Sequence, residues 1–385
     1  MGLLQKFAQT GTYLAQAIGR LINRNLTSKS LKRFASLFLV GISLSIAIAS
    51  CSSGGGSDTT SPSPSGSGAK GGEAKGGDAK ITLVSYAVTK AAYEKIIPKF
   101  VEKWKQEHNQ TLTFNQSYGG SGSQTRAVID GLEADIIHLA LALDTKKVEK
   151  AGLIEPGWEK EFPYDGTLVK SVAAIVTRDG NPKGIKGWDD LTKDSVKFIT
   201  ANPKTSGGAR WNFLVLWGHI IKNGGDDAKA QDFLTKAFKN VPVLPKDARE
   251  ASDVFFKQGQ GDALINYENE VILAGLNGQK LPSVIPDVNI SIDSPVAVVD
   301  KNVAKHGTKE IAEAFVKFLY TPEAQREFTK VGFRPTDPTV EKEVEKQFPK
   351  IKTLFTAQDL GGWDTIQKKF FDDGAIFDKV QSGKK

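Results

Sequence analysis

A β-branched run, Val196-Lys197-Phe198-Ile199-Thr200, leads into nine residues, Asn202-Pro203-Lys204-Thr205-Ser206-Gly207-Gly208-Ala209-Arg210, and a helical pattern follows from Ala209 to Ile221. Few folds accommodate this order. Pro203 restricts the backbone of Asn202, and the two glycines let another group approach the main chain closely. Within the helical stretch, Leu214, Trp217, Gly218 and Ile221 share a face. Strand, Ser-Gly-Gly turn and helix together bring free N–H groups, the positive end of a helix dipole and a hydroxyl to one point. Such a point suits an anion. Ser206 acting only as a helix cap satisfies the same pattern. The stretch is not a nucleotide-phosphate loop, because no Gly-Lys-Ser/Thr follows the glycines.

The rest of the chain alternates between strand and helix signals. The residues from Ile81 to Tyr86 predict a strand, and those from Lys90 to Gln106 a helix with Tyr93, Ile96, Ile97, Phe100 and Trp104 at helical spacing. A strand from Thr111 to Asn115 precedes Gly119-Gly120-Ser121-Gly122, which opens a helix to about Leu132. Apolar strands are expected from Ile136 to Ala142, Val172 to Thr177, Val241 to Leu244 and Pro295 to Val299. Helices are expected from Ala228 to Lys239, Ala248 to Gln258 and Lys309 onward, where Ile311, Phe315, Phe318 and Leu319 are amphipathically spaced. The alternation predicts a largely parallel sheet covered by helices, and 385 residues leave room for two domains.

The formal charge of +7 comes almost entirely from the first fifty residues. Lys6, Arg20, Arg24, Lys29, Lys32 and Arg33 lie there with no acid, so the remainder is nearly balanced and favours no nucleic-acid partner. Phe34 to Ser50 is an uncharged, mostly apolar run, short for a bilayer span, that ends Ile48-Ala49-Ser50-Cys51. This ending resembles a lipoprotein processing site, with cleavage before Cys51 and a lipid on its sulfur. An uncleaved anchor or a free thiol is the alternative. Cys51 is the only cysteine, so no internal disulfide can form. Ser52 to Lys80 is dominated by Gly, Ser, Pro, Ala and Lys and reads as a flexible tether.

Gly119-Gly120-Ser121-Gly122 is a second strand-to-helix cradle, either an anion site or a simple flexible loop. As a nucleophile elbow around Ser121 it fails, since Ser123 stands where a glycine is needed. His108, His138, His219 and His306 lack metal-ligand spacing, and His138 reads as structural. No nucleophile–base pair and no metal cluster is visible, so neither an enzyme nor a cofactor is expected.

The nine-residue string resembles a signature of the sulfate-binding proteins of bacterial ABC importers, Asn-Pro-Lys-(Ser/Thr)-Ser-Gly-x-Ala-Arg. Every specified position matches, and the resemblance runs from about Ile81 to about Phe377. It implies an α/β, two-lobe type II periplasmic binding protein fold with the ligand cleft between the lobes. The expected organisation is a leader over 1–50 and a lipidated Cys51 with its tether over 51–80. Lobe 1 would take 81–177 and 268–385 with the C-terminal helices, and lobe 2 would take 178–267. The family holds its dianion with main-chain N–H groups, one serine hydroxyl and one indole N–H. By resemblance the hydroxyl is that of Ser206, while Gly207, Gly208, Ser121 and Ala248 supply backbone donors. Tyr267 replaces the indole, because Asn266-Tyr267-Glu268-Asn269-Glu270 stands where the family reads Ala-Trp-Glu-Asn-Glu. Ala87 likewise follows Ser85-Tyr86 where the family often has aspartate. Arg126 and Arg210 are expected to be solvated or ion-paired. The implied role is a monomeric, lipid-anchored sulfate receptor outside the cytoplasmic membrane, serving an ABC permease. Thiosulfate or another tetrahedral oxyanion is the alternative ligand. A sulfate- or phosphate-ester hydrolase and a surface adhesion lipoprotein are the competing classes.

Overall fold

The computed structural model describes residues 77–383; the leader, Cys51 and all but the end of the tether lie outside the described residues. The chain opens with β1 (Ala79–Tyr86), two residues earlier than expected, and α1 (Lys90–His108). Helix α1 buries Tyr93, Ile96, Ile97, Phe100 and Trp104, the stripe its spacing predicts, and stops at Asn109 in the left-handed region. Then come β2 (Leu112–Gly119), α2 (Ser121–Ile129), β3 (Ile136–His138), α3 (Ala142–Lys150), β4 (Thr167–Ser171) and β5 (Ala173–Thr177). The middle of the chain forms β6 (Phe198–Ile199), α4 (Gly207–Lys222), α5 (Asp227–Lys239), α6 (Ala248–Phe256), β7 (Ala263–Tyr267) and α7 (Glu268–Leu276). It continues through β8 (Ser283–Val284), β9 (Val288–Ile290), β10 (Ile292–Val298), α8 (Asp300–His306), α9 (Lys309–Leu319), α10 (Pro322–Lys330) and β11 (Arg334–Pro335). Last are α11 (Pro338–Glu343), β12 (Thr353–Phe355), α12 (Gly362–Ile366) and α13 (Ile376–Ser382).

One lobe is built on a six-stranded sheet ordered β11-β4-β10-β3-β1-β2, the other on a four-stranded sheet ordered β6-β7-β5-β8. The sheets are mixed rather than largely parallel. β1 runs parallel to β2 and β3, and β6 to β7, while β4, β5 and β10 enter antiparallel to their neighbours. An apolar run carries no sign of its direction, so the sequence could not show this reversal. Strands β5 and β8, both expected in the first lobe, pair in the second sheet, and the C-terminal segment, expected there too, packs on α4 of the second lobe. Only Val172 separates β4 from β5, and only Ser291 separates β9 from β10. The side-chain amide of Asn289 bonds both the N–H and the carbonyl of Ala173, tying the two crossings together.

Three expected elements change. The run from Ile136 to Ala142 is a strand only to His138, because Ala142 already opens α3. Val241 to Leu244 is not a strand: Pro242 and Pro245 punctuate it, and prolines cannot donate to a ladder. Around β6 the ladder is short, and Lys197 donates its N–H to the Asp262 carboxylate. Helix α4 is also more enclosed than its pattern suggests, being buried on every face from Gly207 to Gly218. The C-terminal segment closes it in: Phe370 packs on Trp217, and Phe371 and Phe377 pack on Phe213.

Candidate functional site

Four helical N-termini converge where the lobes meet. The 3-10 turn Ala87–Thr89 and α2 come from the six-stranded lobe, and α4 and α6 from the other. The first N–H groups of a helix have no partner in their own ladder. Here they face one cavity lined by Ala87, Val88, Gly120, Ser121, Ser206, Gly207, Gly208, Ala248 and Tyr267, among others. All six residues singled out in the sequence, Ser121, Ser206, Gly207, Gly208, Ala248 and Tyr267, lie on its wall. The enclosed cavity is very small, about 10 Å³. Sites for drug-sized molecules span about 300–1,000 Å³, so this cavity leaves no room for a ligand of that size.

Each wall residue has a local reason for its place. Ser206 caps α4, its Oγ accepting the Ala209 N–H at 3.3 Å. The hydroxyl proton finds no acceptor among the described residues, so capping and donation to a ligand are compatible roles. The Ser121 hydroxyl is fully engaged within its own lobe. Oγ donates to Asp144 Oδ2 at 2.6 Å and accepts the Ala140 N–H at 3.0 Å. At Ala248, the preceding Asp247 caps α6 by accepting the Glu250 N–H. Gly120 must be glycine, because a Cβ there would lie 2.5 Å from the Thr205 carbonyl oxygen across the cleft.

Tyr267, at the end of β7, is the one described wall residue with a buried polar side-chain atom left unpaired. It is 2 % exposed, and its hydroxyl has no hydrogen-bond partner among the described residues. Burial pushes that hydroxyl well above the ordinary phenol value, so it remains a neutral O–H. The ring lies against Gly208, where a Cβ would sit 2.6 Å from Cε2 and 2.9 Å from the hydroxyl oxygen. A buried hydroxyl without a partner costs about 1–3 kcal/mol, which a ligand accepting its proton would relieve.

The buried arginine that follows the Ser-Gly-Gly turn is paired. Arg210 is 5 % exposed and gives Nη1 to Asp144 Oδ1 at 2.8 Å, with its Nε bonded to the Pro203 carbonyl. The pair joins the lobes, since Asp144 sits on α3 and Arg210 on α4. Sequence reasoning missed Asp144: it lies near the start of a helix whose first residue was read as strand, and its partner is sixty-six residues away. Two further donors cross the cleft to the Pro203–Ser206 turn. Ser123 gives its N–H to the Thr205 carbonyl, and the exposed Arg126 gives Nη1 to the Lys204 carbonyl. Trp211 returns a bond from α4, its indole N–H reaching the Ala140 carbonyl at 2.8 Å.

The histidines stand apart from one another. His138 Nδ1 bonds Tyr93, and burial lowers the His138 pKa to about 3, so the ring is neutral. His306 lies between Asp135 and Glu133, His219 meets Asp189, and His108 stacks on Trp104. Among the described residues, no group of three or more His, Cys, Asp or Glu side chains is placed to hold a metal ion.

Residues 81–334 match the family described as bacterial extracellular solute-binding protein. The sulfate-binding protein of Synechococcus elongatus is 60 % identical over 307 residues, covering 80 % of this chain and 87 % of that one. A thiosulfate-binding protein of Pseudomonas aeruginosa is more distant, 38 % identical over 78 % of this chain and 91 % of its own. Among solved structures, the sulfate-binding protein SubI of Mycobacterium tuberculosis superposes with a TM-score of 0.70 at 36 % identity, covering 76 % of this chain and 99 % of that one. The two lobes, the cleft at their junction and these matches together place the chain in the sulfate-binding protein family of bacterial extracellular solute-binding proteins.

Proposed function

We propose that this chain captures sulfate between its lobes outside the cytoplasmic membrane and delivers it, as a monomer, to an ABC permease. A lipid on Cys51 would hold it at the membrane surface. The observation that carries the reading is the buried Tyr267 hydroxyl, without a partner among the described residues, in a small cavity that four helical N-termini line. A dehydrated dianion is costly to bury unless its oxygens are all hydrogen-bonded. Charge-assisted bonds from N–H groups at helix ends, with the Ser206 and Tyr267 hydroxyls, replace its water shell. Because Asp144 neutralises Arg210, selection rests on the geometry of neutral donors rather than on a point charge. Closure of the lobes then presents the permease with a loaded shape.

Sulfate is preferred over phosphate at neutral pH, because sulfate only accepts hydrogen bonds. Hydrogen phosphate brings a hydroxyl that needs an acceptor, and leaving it unpaired costs about 1–3 kcal/mol. Calorimetric titration of the purified chain with sulfate, then with thiosulfate and phosphate as competitors, tests the reading. Saturable sulfate binding that equimolar phosphate does not displace is the expected result. Displacement by phosphate refutes the selectivity, tighter thiosulfate binding reassigns the ligand, and no heat with any of the three overturns the receptor assignment.

A further inference from the structure

Lys204 is the one charged residue of the Asn-Pro-Lys-Thr-Ser-Gly-Gly turn, and a lysine beside an anion site invites a role as counter-ion. Its side chain points elsewhere. Nζ lies 3.2 Å from the Phe371 carbonyl oxygen, 3.0 Å from Asp378 Oδ1 and 3.5 Å from Oδ1 of the fully exposed Asp373, all in the C-terminal segment. That segment is fastened to the same lobe by its aromatic rings, Phe371 and Phe377 against Phe213 and Trp363 against Trp211. Asp378 is itself fixed by the Gly374 N–H at 2.8 Å.

The turn held from behind by Lys204 does two jobs in front. The carbonyls of Lys204 and Thr205 receive Arg126 and Ser123 from the opposite lobe. Two residues on, Ser206 caps α4 at the cavity wall. The Thr205 hydroxyl also donates to the Lys246 carbonyl at 2.6 Å, linking the turn to the residues just before the Ala248 donor. A shift of the turn therefore moves cross-lobe acceptors and anion donors together.

We propose that Lys204 is a positioning residue for anion capture, and that the C-terminal segment Gly362–Ser382, gripping it through Asp378 and the Phe371 carbonyl, is part of the binding machinery. The inference rests on the sulfate reading for its affinity arm alone. The ammonium does not touch the anion; it sets the height of the turn. The ion pair is partly exposed, which limits its effect on affinity to about three- to fivefold.

The test compares Lys204→Met, Lys204→Arg, Asp378→Asn and the Lys204→Met/Asp378→Asn double variant in the full chain. Sulfate affinity is measured by calorimetry, and hydrogen exchange of peptides spanning residues 203–208 is measured without ligand. The expected result is a three- to fivefold loss for Lys204→Met and a similar loss for Asp378→Asn. Lys204→Arg should stay near wild type, and the double variant should lose no more than the worse single one, because both act on one contact. Exchange over 203–208 should quicken in the two single losses. Additive losses, or a lowered melting temperature with unchanged affinity, would overturn the proposal. Unchanged exchange over 203–208 would do so whatever the titration shows. If the wild type itself ignores sulfate while the exchange pattern holds, the receptor reading falls and the coupling of Lys204 to the turn stands.

Discussion

Replacing Tyr267 by phenylalanine should move binding and stability in different directions. The hydroxyl is buried without a partner among the described residues, and on the proposed function sulfate supplies one. A hydrogen bond to a charged acceptor contributes about 1.5–3 kcal/mol, which corresponds to roughly a ten- to hundredfold loss of sulfate affinity. In the ligand-free protein the same change removes an unsatisfied polar atom and keeps the ring against Gly208. The melting temperature without sulfate should therefore stay the same or rise. Calorimetry gives the first quantity, and thermal unfolding at a series of sulfate concentrations gives both, since a ligand specific to the native state raises stability with its saturation. Tyr267→Trp restores a single N–H donor and should keep much of the affinity. Equal sulfate affinity in the wild type and the phenylalanine variant would return Tyr267 to the core and remove the observation on which the proposed function stands.

Ser206→Ala should lower sulfate affinity ten- to hundredfold and also cost about 1 kcal/mol of stability through the lost α4 cap; calorimetry and urea unfolding separate the two effects. Asp144→Asn leaves the Arg210 cation buried without its counter-charge, so a loss of about 3–5 kcal/mol in the closed form is expected from the same two measurements. His306 donates to Asp135 and Glu133, and these bonds raise its pKa above the ordinary histidine value. Its contribution to stability is then fully present below about pH 6.5 and is lost as pH rises through the higher folded value, a decline in melting temperature that His306→Gln should flatten. Cys51→Ala should leave unlipidated precursor with its leader attached, detectable by mass spectrometry of the membrane fraction.

The site was legible where its parts are local in the chain. Ser206, Gly207 and Gly208 announce a strand-turn-helix cradle by their own chemistry, and so do Gly120 and Ser121. Ala248 carries no such mark and came only through resemblance, because a backbone donor does not depend on its side chain. Asp144 was illegible for another reason: its meaning lies in Arg210 and Ser121, which only the closed fold brings near. In the fold, the stripe on α1 could be read directly, since one face must be apolar. The crossings could not. Val172 opens an apolar run behind the polar pair Lys170-Ser171, and nothing in that pattern shows that Ser171 and Ala173 belong to different sheets.

Those crossings also govern what kind of motion the molecule can make. Two chain passages one residue long, held side by side by Asn289, leave little slack for one lobe to slide past or draw away from the other. A third passage, over 336–352, is longer and constrains less, so the two short ones favour rotation about the line through Val172 and Ser291. Along that single coordinate the donors from both lobes must leave a ligand's opposite sides in concert. On the sulfate reading, partly engaged intermediates would be disfavoured and release would wait on opening of the cleft.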